Sequence, residues 1–183
     1  MSSFLGRKDL TRGIRNNNPG NLKNFGIAWQ GKIPLPQNTD QNKTFDQFTD
    51  VKYGIRAMLI DLLGDIGKGK NTLRKLISEY APNSENNTDV YISTVAKSMG
   101  VGADVVIKEV DFTFMFNLAK AIIKHECSPD HDKILDSDIL DAIDIIDRTE
   151  LNGVVINVQK KRKFNIIIIP VLLFLYTVFS VTV

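Results

Sequence analysis

The side chains best suited to chemistry are one glutamate and a cluster of amides lying far apart in the chain. Glu126 closes the apolar stretch "FMFNLAKAIIKHE", just before Cys127, Ser128 and Pro129 turn the chain away. At a helix carboxy terminus the dipole disfavours negative charge, and apolar neighbours strip a carboxylate of water. Both effects favour the proton-carrying form that a general acid needs. An acid fraying off the helix end, or one paired with His125, is the plainer alternative. The amides belong to "RGIRNNNPGNLK", residues 12 to 23, in which Asn16, Asn17 and Asn18 precede a Pro-Gly turn and Asn21 follows it. Asparagine suits turns because its side chain bonds nearby backbone and it tolerates left-handed angles. Four of them imply either a loop tied together by amide hydrogen bonds or a surface offering donors and acceptors to a hydroxyl-rich ligand. Trp29, the single tryptophan, follows shortly in "GIAWQG" and is either core or a ring on which a sugar stacks. Asp46, between Phe45 and Phe48, and Glu85, in "APNSENNT", are further acids with suggestive neighbours, although Glu85 and its amides also suit a helix start.

Other chemistries fail on spacing. "GDIGKGKN", residues 64 to 71, nearly matches a phosphate-binding loop, but Asn71 stands where a hydroxyl is needed and the preceding element reads as a helix rather than a strand. It is expected to be an interhelical linker. "PDHDKILDSD" lacks the glycine and ligand spacing of a calcium loop, and His125, Cys127 and His131 have no fourth ligand at recognisable spacing. No metal or other cofactor is expected. Cys127 is the single cysteine, which excludes an internal disulfide.

The elements that position these residues are mostly helical. Ile55, Met58, Leu59, Leu62 and Leu63 recur at helical spacing from Tyr53 to a stop at Gly64. Thr72 caps a second helix bearing Leu73, Leu76, Ile77 and Tyr80, which Pro82 ends. "ENNTDVYISTVAKSMG" predicts a third, with Val90, Tyr91, Val95 and Met99 on related faces and Gly100 at its end. A broad apolar stripe after Asp111 predicts a core helix ending at Glu126, and a short helix is expected from Asp138 to Ile146. Residues 1 to 50 read as loops, with "KTFDQF" as a short strand or extended segment, and "GVVINVQ" as a strand or linker.

With 183 residues, 43% hydrophobic and 24% charged, the composition is globular. Four of the 23 basic residues are Lys160, Lys161, Arg162 and Lys163, which leaves 19 against 21 acidic ones in the preceding chain. A slightly acidic body argues against nucleic acid as a partner. From Phe164 to Val183 no side chain is charged, and 20 residues in a helix reach about 30 Å, the thickness of a bilayer core. The expected organisation is a domain over 1–150, a linker with the basic cluster over 151–163, and a transmembrane anchor over 164–183. A buried carboxy-terminal strand pair is the alternative for the last segment. No amino-terminal signal peptide is expected, because Arg7, Lys8 and Asp9 interrupt any apolar run.

Six blocks in order resemble a bacteriophage family described as structural protein P5 or virion lysozyme-like proteins. They are "RGIRNNNPGNL", the Trp29 to Gly31 segment, Phe45 to Phe48, "GIRA" at 54–57, "AP-x-x-ENNT-x-x-Y" ending at Tyr91, and "A-I-I-x-H-E" ending at Glu126. The resemblance implies a virion setting and bacterial peptidoglycan as substrate. "NPGNLK" and the aromatic blocks are also similar to the groove of lysozyme-type glucosaminidases and lytic transglycosylases, where the catalytic glutamate ends a helix upstream of that loop. Here no glutamate precedes Arg12. The expectation is therefore a circularly permuted lysozyme-like domain with the Glu126 carboxylate within about 10 Å of the Asn18 to Asn21 loop, in an open groove. The resemblance gives Glu126 the role of general acid on the glycosidic oxygen, and Asn17, Asn18, Asn21, Trp29 and Tyr91 that of substrate binding. Asp46 or Glu85 at the site would allow water-assisted hydrolysis, and absence of both would favour attack by the sugar's own hydroxyl. Cys127, Ser128 and Pro129 depart from the small or amide residues that usually follow the glutamate. The other reading is a non-enzymatic, membrane-anchored structural or glycan-binding virion protein, in contact with other virion proteins.

Overall fold

The computed structural model describes residues 2–84 and 87–146, and the backbone of 156–157. Glu85 and the uncharged run 164–183 lie outside the described residues, so neither a role for the first nor a span by the second is placed. Among the described residues no helix is long and apolar enough to cross a membrane.

The first fifty residues are mostly loop, as expected, but contain a one-turn helix, α1 (Arg12–Arg15), that opens the asparagine segment. "KTFDQF" makes two isolated antiparallel bridges, Lys23 with Phe45 and Lys32 with Phe48, rather than a strand. Helix α2 (Val51–Gly67) starts where the Asp50 carboxylate accepts the Lys52 N–H. It runs through Gly64 instead of stopping there, because Leu62 and Leu63 are fully buried and packing outweighs the weak helix propensity of one glycine. Thr72 caps α3 (Leu73–Tyr80) by accepting the Lys75 N–H, and "GKGKN" is the linker before it. Asn87 caps α4 (Thr88–Met99), which ends at Gly100 with φ of 67°, a left-handed angle that glycine adopts without strain. Tyr91 and Val95 face inward on α4, whereas Val90 turns out to solvent.

A two-residue strand, β1 (Val110–Asp111), leads into α5 (Phe112–Glu126), where the Asp111 carboxylate accepts the Phe114 N–H. Helix α6 (Asp136–Asp144) begins two residues before the expected Asp138, whose carboxylate instead accepts the Leu135 N–H and ties off the first turn. Strand β2 (Ile156–Asn157) pairs parallel with β1. The fold is thus mostly α.

Helix α5 packs against α2, α4 and α6. Its Met115, Leu118, Ala119 and Ile122 meet Ile55, Met58, Leu59 and Leu62 of α2 within one apolar core. Each of the larger side chains stabilises the fold by roughly 1.5–3 kcal/mol on burial. The asparagine segment lies directly on α2, at Gly54: a Cβ there would overlap the Asn17 carbonyl oxygen. Gly64 on the same helix has nothing within 4 Å of a Cβ. Gly54→Ala should therefore lower stability by about 3 kcal/mol through forced separation of loop and helix. Gly64→Ala should raise it by about 0.5–1 kcal/mol. Thermal and urea unfolding followed by circular dichroism checks both, and equal effects at the two sites would contradict the close approach.

Candidate functional site

None of the three amides before the turn has access to a ligand. Asn17 and Asn18 are fully buried, and both spend their side chains on the loop itself. The Asn17 Oδ1 accepts the Phe4 N–H at 2.8 Å, while its Nδ2 donates to the Phe48 carbonyl at 2.9 Å and the Ser3 hydroxyl at 3.0 Å. Asn18 donates to the Leu22 and Asp46 carbonyls, both at 2.9 Å, and accepts the Leu22 N–H at 3.0 Å. Asn16 bridges Asp40 and Gln47. The expectation that Asn17 and Asn18 bind substrate is corrected: they replace water around backbone groups that no regular element satisfies. Asn17 also takes φ of 52° and Asn21 φ of 49°, the left-handed angles that asparagine tolerates.

Asn21 differs. It is half-buried at the mouth of an open cavity of about 590 Å³, and its Nδ2 donates to Glu126 Oε2 at 2.8 Å. The expected approach of Glu126 to this loop is met by direct contact across 105 positions of sequence. Two further contacts dock the end of α5 there. The Cys127 Sγ donates to the Pro19 carbonyl at 3.4 Å, and the Asp130 carboxylate accepts the Thr11 N–H at 2.7 Å. Cys127, one of the residues that departs from the family pattern, is thus a buried prop under the Pro-Gly turn. Burial pushes its thiol up to about 12, which keeps it protonated and unreactive. On the opposite wall the Tyr80 hydroxyl donates to the Gly20 carbonyl and pins the turn to the end of α3.

The cavity lies between this turn, the middle of α2 and the end of α3. Phe25 and Phe45 add aromatic surface, and Asp61, Asp65 and Glu79 join Glu126 as lining acids. Asp65 pairs with Lys68 and Glu79 with Lys70. Asp61 stands outside those pairs; burial and then repulsion from Asp65 raise its pKa, with Lys68 acting against them. The sequence reading missed Asp61, although two acids one turn apart in "LIDLLGDIG" mark a polar stripe on an otherwise apolar helix.

The remaining candidates fall elsewhere. Asp46 is fully buried with its carboxylate 2.8 Å from the Lys32 ammonium, and it does not line the cavity. Burial raises its pKa and Lys32 lowers it, with burial dominant. A second catalytic carboxylate at Asp46 is therefore corrected, because no solvent path reaches it. Trp29 lines a separate shallow cavity of about 360 Å³ with Ile27, Lys32 and Leu35. Tyr91 is fully buried, its ring stacked on His125 with centroids 3.7 Å apart, so it cannot face a sugar directly. Glu85 lies outside the described residues. Among the described residues no group of three metal-ligating side chains comes together.

No family model matches the chain. A curated protein, Protein P5 of Pseudoalteromonas phage PM2, is 36% identical over 97 residues, which cover 51% of this chain and 58% of that protein. The chain is thus related to a bacteriophage protein over about half its length. The name of that relative states no activity, and lysozyme kinship is no part of the match.

Two outcomes follow for the asparagine segment. Asn18→Ala should cost about 3 kcal/mol by stranding buried backbone groups, whereas Asn21→Ala should cost about 1–2 kcal/mol, mostly from its left-handed backbone, both read from urea unfolding. Asp40 gives a pH signature. Burial alone would raise its pKa, but bonds from Arg12, Asn16 and the Phe45 N–H outweigh that and lower it from 3.8 to about 2. A depressed carboxyl stabilises the fold above its unfolded pKa and loses that contribution as pH falls through the folded value. The stability gap between wild type and Asp40→Asn should therefore be full at neutral pH and close between pH 3.8 and about 2.

Proposed function

We propose that this domain cleaves the glycan strand of bacterial peptidoglycan for a bacteriophage particle, with Glu126 as the general acid. The observation that carries the reading is the Glu126 carboxylate held by Asn21 in an open cavity lined by aromatic and acidic side chains. An acid on a rigid helix end, fixed by one donor and accessible from an open cleft, meets the geometric demand for protonating a leaving oxygen. Phe25 and Phe45 offer aromatic surface on which a sugar can pack. The relationship to a phage protein and the similarity of the "NPGNLK" block to lysozyme-type grooves support peptidoglycan as the substrate. In this reading the domain is a permuted lysozyme-like fold, its basic cluster and uncharged tail anchor it to lipid, and it belongs to the virion.

The position of the second carboxylate divides the possible reactions. With Asp46 sealed in the interior, Asp61 is the cavity acid outside the lysine pairs and the group able to activate or orient water. Water attack assisted by Asp61 would give hydrolysis. Attack by the sugar's own hydroxyl, with Asp61 as bystander, would give an anhydro product lacking one water.

The test is loss of turbidity of purified cell-wall sacculi on adding the full-length chain in detergent micelles. Wild type should clear the suspension, and Glu126→Gln should slow clearing by about 10²-fold or more. Equal rates for the two would reject Glu126 as the acid. An inactive wild type would reject cleavage and leave a glycan-binding or structural virion protein. Mass spectra of the released fragments distinguish the two routes, and Asp61→Asn should suppress products that carry an added water.

A further inference from the structure

Tyr91 has a feature that its burial alone does not explain. Its hydroxyl is enclosed in the core, and no hydrogen bond of regular geometry satisfies it. Buried hydroxyls without a partner are rare in folded proteins, because such a group gives up water and gains nothing in return. The titratable groups whose charge reaches this hydroxyl are Glu126, Tyr80 and Cys127. Two of them are the weaker acceptors: the Tyr80 hydroxyl and the Cys127 thiol give their hydrogens to the Gly20 and Pro19 carbonyls and keep only the lone pairs of neutral groups. The third is the Glu126 carboxylate, whose bond from Asn21 uses one lone pair of one oxygen. The Tyr91 ring is clamped flat against His125 at an interplanar angle of 16°, which fixes where the hydroxyl points. His125 immediately precedes Glu126 on α5, so the same stacking holds the acid's own backbone.

We infer that Tyr91 is a positioning residue for Glu126: its hydroxyl donates to the carboxyl group from the core side, and with the Asn21 amide it leaves the transferable proton only the cavity side. This rests on Glu126 being the acid of the proposed reaction. A carboxyl oxygen that faces a donor hydrogen cannot carry its own hydrogen in that direction. Two donors on the protein side therefore direct the acid's proton outward, toward a leaving oxygen. The expectation that Tyr91 touches substrate becomes a role exercised through Glu126.

Tyr91→Phe removes the hydroxyl and keeps the ring on His125. It should lower kcat for soluble glycan fragments about tenfold, with KM unchanged and the thermal midpoint equal or higher. A hydroxyl that is merely buried would give the same stability with kcat untouched, and that result overturns the inference. A second measurement needs no turnover. In the full chain with carbon-13-labelled tyrosine, the Tyr91 hydroxyl proton should be seen by NMR in slow exchange with solvent and should shift in Glu126→Gln. An unchanged resonance overturns the contact even where lysis depends on Glu126. The shift in a wild type that cleaves no glycan upholds the contact and removes the glycan reading.

Discussion

Everything at the cavity depends on docking the end of α5 against the asparagine turn. Three contacts made by Glu126, Cys127 and Asp130 join residues more than a hundred positions apart, to Asn21, Pro19 and Thr11. The contact is possible because the turn can lie flat. Gly54 lets the Asn17 backbone touch α2, and Gly13 leaves room for the Cys127 sulfur, which a Cβ would approach to 3.0 Å. Long-range contacts of this kind cost loop-closure entropy, and the core formed by α2, α4, α5 and α6 offsets it before the polar contacts contribute.

The asparagines divide their work by burial. Asn17 and Asn18 act as substitute backbone inside a loop that has no ladder of its own, and each saturates its amide on groups that would otherwise stay unpaired. Asn21 shares their residue type and turn but reaches the surface, where its donor meets a carboxylate. The acids divide in the same way. Asp40 is held ionised by Arg12, whose guanidinium also lies 4.4 Å from the centre of the Phe45 ring, and it secures the loop. Asp46 faces Lys32 in the interior, whereas Asp61 and Glu126 share the cavity.

Of the four carboxylates that line the cavity, Asp65 and Glu79 are paired with Lys68 and Lys70, and Lys23 lines the same wall. Its charge is therefore largely balanced, which favours neither polyanions nor polycations. Such a wall suits the uncharged sugar of the proposed reaction. Relationship to a phage protein sets the biological context, and the cleft chemistry supplies the proposed reaction.

The amino-acid sequence by itself determined the helices, because their signals are local: Thr72 caps α3 as expected, α5 opens after Asp111, and Gly100 ends α4. It misplaced the end of α2 at Gly64 and the start of α6, where packing of Leu62 and Leu63 and the carboxylate of Asp138 overrode local propensity. That Glu126 meets the amide loop was an expectation with no local signal behind it, and the Asn21 bond across 105 positions bears out the meeting itself. Only the tertiary structure decided that Asn21 rather than Asn17 or Asn18 lines the cavity, that Asp61 rather than Asp46 lines it, and that Tyr91 stacks on His125 in the core. Residue type states what a side chain can bond, but whether it faces core or cleft is set by the docking of segments far apart in sequence, and local spacing carries no record of that direction.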